Sequence, residues 1–327
     1  MYRRTNQMLV FEHHAKGALN VSIIVTLLLV PMGLQALMAQ TVPTAPLAAP
    51  SNKKVLIIGT DGTRPDKMEQ ANTPNIKALI ATSAYSNKAK TGLPTVSGPS
   101  WSSMLTGVWR DKHGVADNSF KGKNYTQYPD FLTRLEKINP RFSTFAAADW
   151  PPILTADGGG PLISDAVDVK LALKGHDATN DGRIADLAAT FLARENVDAA
   201  FVYFGEVDGQ GHAVGPLHPK YTQAIERMDK YVGQLVGAIR SRPNYANEDW
   251  LILISTDHGH VDKGGHGGPS EIEQTIFFLA NGKSVEPLNL QEPVGIVDIG
   301  VTALAHLGIK ADPVWLLDGK VQALKTP

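Results

Sequence analysis

Lys53-Lys54-Val55-Leu56-Ile57-Ile58-Gly59-Thr60-Asp61-Gly62 is the stretch on which the fold turns. Its apolar core is too short for a globular helix and shows no alternation of apolar and polar residues. A strand buried on both faces has that signature, and the Gly-Thr-Asp-Gly that follows ends it in a turn. Two later stretches read the same way, Ala199-Ala200-Phe201-Val202-Tyr203-Phe204 and Leu251-Ile252-Leu253-Ile254-Ser255. Helical patterns lie between them. Thr73-Pro74 opens one, with a hydroxyl cap and proline in the first turn, and others run from Tyr128 to Lys137, Gly182 to Arg194, Pro219 to Arg240 and Asp298 to Leu307. Buried strands alternating with amphipathic helices predict an α/β domain around a mostly parallel sheet. Pro151 to Asp181, rich in Gly and Asp without a clean period, reads as loop or a small cap over the sheet edge.

Outward from Lys53 toward the N-terminus the chain changes character. Arg3, Arg4 and Lys16 precede an apolar run from Ala18 to Val30, and Leu37-Met38-Ala39 offers small or neutral residues at a cleavage point. That is the layout of an export signal over 1–39, with an uncleaved membrane anchor as the alternative, and it implies a periplasmic or secreted protein. Residues 40–52, with three prolines, form a linker, and 53–327 a single domain. The composition is 43% hydrophobic and 19% charged with a formal net charge of −1, so no basic field draws in nucleic acid. There is no cysteine, which excludes disulfides, thiolate metal sites and a Cys nucleophile.

Ligands in open α/β sheets sit beyond the carboxyl ends of the strands. The three strands end in Asp61, in Asp208-Gly209-Gln210-Gly211-His212 and in Asp257-His258-Gly259-His260, and His266 lies in a run of glycines. Any one of these alone reads as a cap or a satisfied polar residue. Asp61, Asp208, His212, Asp257, His258 and His266 together read as a metal site, and nitrogen and carboxylate donors without sulfur suit zinc. Ser97, in Pro94-Thr95-Val96-Ser97-Gly98-Pro99-Ser100-Trp101, reads either as a helix cap or as a nucleophile whose oxygen a metal ion activates.

In their order these motifs resemble the alkaline phosphatase superfamily, and within it the type I phosphodiesterase and nucleotide pyrophosphatase branch. The resemblance rests on Asp61-Gly62-Thr63-Arg64, Pro94 to Gly107, Asp208 to His212, Asp257-His258-Gly259 and His266. It implies a doubly wound sheet with helices on both faces and two divalent metal ions, zinc by preference. One ion would be held by Asp208, His212 and His266, and the other by Asp61, Asp257, His258 and the Ser97 oxygen. It further implies hydrolysis of a small phosphate ester through a phosphoseryl intermediate on Ser97. The branch usually has Thr where Ser97 stands, Asn where Ser100 stands as a phosphate contact, and Pro where Val207 stands. A phosphomonoesterase of the same machinery is the alternative. A sulfatase is disfavoured because Trp101 replaces the arginine of the sulfatase maturation motif, and a metal-binding protein without turnover leaves Ser97 unexplained. His260 reads as second-layer or loop, His113 as structural, and His176, His218 and His306 have no identifiable partners in the sequence.

Overall fold

The fold is described from a computed structural model covering residues 10–13, 52–287 and 290–325. The apolar run Ala18–Val30, the cleavage point near Ala39 and the prolines of the linker lie outside the described residues. The strands are β1 Val10–His13, β2 Lys53–Thr60, β3 Ala84–Lys90, β4 Thr144–Ala148, β5 Val169–Ala172, β6 Ala199–Phe204, β7 Asp249–Ser255 and β8 Thr275–Asn281. They form one sheet in the order β1-β5-β4-β6-β2-β7-β8-β3. The run β5-β4-β6-β2-β7 is parallel, while β1, β8 and β3 pair antiparallel at the two sides. Thus β1, inside the segment read as an export signal, pairs with β5.

The central strand β2 is buried on both faces, as its unbroken apolar run requires. Side chains alternate across a strand, so Val55 and Ile57 join one core and Leu56 and Ile58 the other. The first core takes in the helices Ser97–Thr106, Phe131–Ile138 and Asp298–His306; the second takes in Pro74–Ile80, Ala178–Arg194 and Pro219–Arg240. This is the doubly wound α/β arrangement that the sequence predicts.

Two expectations change in detail. Thr73 does not cap Pro74–Ile80: its hydroxyl donates to the Met68 carbonyl instead. The free amides of Asn75 and Ile76 are taken by Asp229, a buried carboxylate on Pro219–Arg240, at 3.2 and 2.8 Å. The segment Pro151–Asp181 contains β5 and the first turn of Ala178–Arg194, which short length and scattered Gly and Asp conceal in the sequence. Ser97 itself is the first residue of the helix Ser97–Thr106, which the left-handed backbone of Gly107 (φ 74°) closes.

Gly59 shares its face of β2 with Ile57, under Trp101. A Cβ there would lie 2.5 Å from the Trp101 ring, so the glycine makes room for the indole. Gly59→Ala should therefore lower the unfolding free energy by about 1–3 kcal/mol, the usual range for overpacking. Denaturant titration would show this as a lower midpoint at unchanged slope; an unchanged midpoint would mean that the Trp101 ring has slack.

Candidate metal centre and active site

Parallel register is what gathers the site. Thr60 of β2 lies beside Phe204 of β6, and Gly59 beside Ser255 of β7, so the three strands end level. Asp61, Asp208 and Asp257 follow those ends within a few residues. All three are buried, as are His258 and Ser97.

Asp61, Asp257 and His258 form one group whose candidate ligand atoms all lie within 4.8 Å of one another. Each carboxylate divides its two oxygens between scaffold and site. Asp61 Oδ2 accepts from the Tyr203 hydroxyl at 2.5 Å and from Trp101 Nε1 at 3.0 Å, while Oδ1 is buried with no hydrogen-bond partner. Asp257 Oδ1 accepts from the amides of Gly62 and His258 at 3.1 and 3.0 Å, while Oδ2 is likewise buried and unpartnered. Those two orphaned oxygens lie 3.5 and 3.2 Å from His258 Nε2, and the Ser97 hydroxyl lies 3.2 Å from the same nitrogen. The other ring nitrogen of His258 is 3.1 Å from the Gly259 carbonyl; donating there leaves Nε2 with its lone pair. Unpartnered buried carboxylate oxygens are costly unless a cation takes them, so these donors fit a metal ion.

Asp208, His212 and His266 form the second group, more open because His212 is exposed. His212 Nε2 lies 3.0 Å from His266 Nε2, and both face Asp208 Oδ1, at 3.5 and 3.7 Å. His266 Nδ1 is 2.7 Å from the Thr95 carbonyl, which again frees Nε2 for an ion. The His258 and His266 rings stack with centroids 3.7 Å apart, so the two groups share a wall. All seven residues expected to hold metal are thus brought together.

Ser100 is not among them. It is buried and hydrogen-bonded to the Thr91 hydroxyl at 3.1 Å, beside a cavity of about 360 Å³ lined by Leu93, Pro99 and Trp109. Asn118 also reaches the Ser97 turn: its Oδ1 accepts from the Gly98 amide at 2.7 Å. No spacing rule marks Asn118 in the sequence. His113 has the structural role expected of it: buried, it bonds Ser103 and the Val115 amide and so fixes the loop that carries Asn118.

His260 is the other residue that the sequence left undecided. Fully buried, its Nε2 lies 2.9 Å from Asp208 Oδ1, so it orients a ligand. Two glycines make its place. A Cβ on Gly62 (φ 62°) would come within 2.6 Å of His260 Nε2, and one on Gly211 within 2.5 Å. His176, also unplaced by sequence, comes within 3.9 Å of Asp208 Oδ2.

The pattern defining the family described as type I phosphodiesterase / nucleotide pyrophosphatase matches residues 55–267, the span that carries every one of these site residues. The chain belongs to that family. Human ectonucleotide pyrophosphatase/phosphodiesterase family member 7 is 24% identical over 238 residues, covering 65% of this chain and 49% of that protein. Family member 3 from Bos taurus is 27% identical over 224 residues, 63% of this chain and 24% of that protein. The chain therefore spans about half the length, or less, of these curated relatives. Among solved structures, murine ectonucleotide pyrophosphatase/phosphodiesterase 5, an inactive form in complex with AMP, superposes with TM-score 0.61 at 17% identity, covering 80% of this chain and 96% of that one. A 2-O GAG sulfatase gives TM-score 0.64 at 14% identity, over 82% of this chain and 73% of that one. At those identities the structural likeness concerns the fold.

The electrostatics of the family site in this chain give a pH test. Burial raises the Asp61 carboxyl well above the usual range, with Asp257 and Asp208 adding to it. Burial likewise pushes Asp257 up to about 8 from an ordinary 3.8. Burial also raises Asp208, but the His260 hydrogen bond and the surrounding imidazoles outweigh it and hold that carboxyl below its ordinary value. His258 is lowered well below 6.5, by burial first and His266 second. In chelator-treated protein the native state binds more protons than the unfolded chain at Asp257 between about 3.8 and 8, so stability there falls as pH rises. His258 acts oppositely, as do His113, His176, His266 and His306, which burial also lowers, and their effect fades as the pH rises past the ordinary 6.5 at which the unfolded chain releases those protons. Between pH values of about 7.5 and 8, above the histidine range, the carboxyls dominate: Tm of the chelated protein should fall, and the rise in Tm on adding a divalent ion should grow. Scanning calorimetry at those two pH values checks it, and an ion-induced gain that shrinks with pH would refute it.

Proposed function

We propose that this chain is a metal-dependent hydrolase of small phosphate esters, acting on diesters or pyrophosphate-type substrates through two divalent ions, zinc by preference, and a phosphoseryl intermediate on Ser97. The observation that carries the reading is the convergence of Asp61 Oδ1 and Asp257 Oδ2, both buried without a partner, on His258 Nε2 beside the Ser97 hydroxyl. A metal-binding protein without turnover has no use for a hydroxyl at that point.

Two ions held by the two residue groups would supply charge neutralisation on the attacking and leaving oxygens. The chain's own residues do the rest. The helix Ser97–Thr106 sets Ser97 at its first position, with Trp101 one turn on, against Asp61. Asn118, accepting from the Gly98 amide, braces the first turn of the helix that begins with Ser97. The Ser97 oxygen forms a bond to phosphorus as the bond to the ester oxygen breaks, and the alcohol departs. Water then cleaves the Ser97–phosphorus bond and regenerates the hydroxyl. Trp101, buried and donating to Asp61, occupies the position where the sulfatase motif has arginine, which disfavours a sulfatase.

Relatives named as pyrophosphatases and phosphodiesterases, including a bovine bis(5'-adenosyl)-triphosphatase, favour the diester reading over a phosphomonoesterase. Zinc-loaded protein assayed on paired p-nitrophenyl monoester, diester and sulfate should prefer the diester. Ser97→Ala should cut turnover by roughly 10³-fold or more while zinc stays bound; undiminished hydrolysis would refute the nucleophile.

Residues 1–39 are proposed as an export signal, 40–52 as a linker and 53–327 as one exported hydrolase domain. Among the described residues no helix is long and apolar enough to cross a membrane. N-terminal sequencing of the protein from its native host should start near Gln40; a start at Met1 would refute removal.

A further inference from the structure

His266 sits in Gly264-Gly265-His266-Gly267-Gly268, four glycines around one candidate ligand. Gly264, Gly265 and Gly267 take left-handed φ of 88, 85 and 115°. Glycine loses more backbone freedom on ordering than any other residue, so such a loop holds its histidine still only where other groups fasten it. Ahead of His266 the loop is fastened to its own approach: the Gly264 amide donates to the Val261 carbonyl and the Val261 amide to the Gly265 carbonyl, at 2.8 and 3.0 Å. A Cβ on Gly265 would meet nothing within 4 Å, so nothing packs against that side.

Past His266 the fastening centres on Thr95. Fully buried and two positions before Ser97, Thr95 meets three consecutive residues of the loop. Its carbonyl lies 2.7 Å from His266 Nδ1, its hydroxyl accepts from the Gly267 amide at 2.9 Å, and the same hydroxyl donates to the Gly268 carbonyl at 2.9 Å. The hydroxyl thereby spends its one proton and also serves as an acceptor. Glu273 closes the far side. It is buried with Oε1 3.5 Å from the Thr95 hydroxyl, takes the Gly268 amide at 2.7 Å, and is itself held by the Ser270 amide and hydroxyl. The carbonyl contact selects which ring nitrogen of His266 faces the ion, while the two hydroxyl bonds hold the backbone from which the ring hangs.

We propose that the Thr95 hydroxyl is a tether that positions His266 for ion binding and ties this ligand to the segment leading into Ser97. The tether rests on the metal-dependent reading above. Thr95 belongs to no metal-ligand group, so it is a positioning residue. Thr95→Ser keeps the hydroxyl, whereas Thr95→Val keeps the shape and withdraws the partner of the Gly267 amide and the Gly268 carbonyl.

The test is zinc uptake by metal-depleted full-length protein, titrated against a chromophoric chelator. Wild type should take up two ions, and His212→Ala identifies which affinity belongs to the Asp208 group. Thr95→Val should weaken the Asp208-group ion by roughly 10–100-fold, the usual effect of losing a residue that orients a ligand, and spare the ion at Asp61, Asp257 and His258. Thr95→Ser should bind both ions as wild type does. Should Thr95→Val fail to fold, Thr95→Cys carries the test, because a thiol is a weak donor and a weak acceptor; it should weaken the same ion about tenfold. Wild-type affinities in the Val or Cys variant, a Ser variant as weak as these, or equal weakening of both ions would overturn the tether alone. A wild type that takes up no zinc would overturn the tether and the hydrolase reading together.

Discussion

The hydrogen bond from Trp101 to Asp61 depends on the pleat of a single strand. Side chains along β2 alternate between two cores, which puts Ile57, Gly59 and the following Asp61 on one side. Because residue 59 is glycine, an indole can lie flat where a side chain would otherwise stand, with its Nε1 3.0 Å from Asp61 Oδ2. Tyr203 reaches the same oxygen from β6, one strand over in parallel register. The helix Ser97–Thr106, the central strand and its neighbour are therefore tied at one carboxylate oxygen. A shift of one residue in β2 would send Asp61 to the opposite face and separate Ser97 from His258.

Asp257 obeys the same division, giving one oxygen to backbone amides and keeping the other toward His258, whereas a single oxygen of Asp208, Oδ1, both meets His260 and faces His212 and His266. Burying three carboxylates near one another is unfavourable by itself, through lost hydration and mutual repulsion. The scaffold offsets part of this with neutral donors rather than with lysines or arginines. Arg64, the nearby guanidinium, is turned to Asp66 and Asp262 and to the His260 carbonyl, joining the two strand-end turns from outside. The negative charge left inside suits the site to a cation.

Much of this was legible in the sequence, for physical reasons that also mark its limits. Unbroken apolar runs identify β2, β6 and β7, and such strands in a parallel sheet must deliver their following residues to one edge. That is why Asp61, Asp208, Asp257 and their histidines could be named without coordinates. β5 was not legible, because Val169-Lys170-Leu171-Ala172 is four residues long and carries a lysine. Nor was the role of Asn118, His176 or His260, since each acts through a contact across the fold that no local period encodes. Ser100, one helical turn from Ser97, is buried and its Oγ accepts from the Thr91 hydroxyl, a tie between separate segments that its place in the motif does not announce.

Glycines make room for the imidazoles packed around Asp208. His260 lies against Gly62 and Gly211, and His176 against Gly205 and Gly209, all within reach of the carboxylate of Asp208. A Cβ at any of these four positions would strike an imidazole or its backbone at about 3 Å or less, so the helix Glu206–Val214 is clasped on both sides by histidine-bearing loops. Gly-rich spacing in Asp208-Gly209-Gln210-Gly211-His212 thus answers a packing need rather than a need for flexibility. Intrinsic helix propensity argues against a helix with two interior glycines. That it forms at all means tertiary contacts hold it, and those contacts are the ones that set the direction of Asp208.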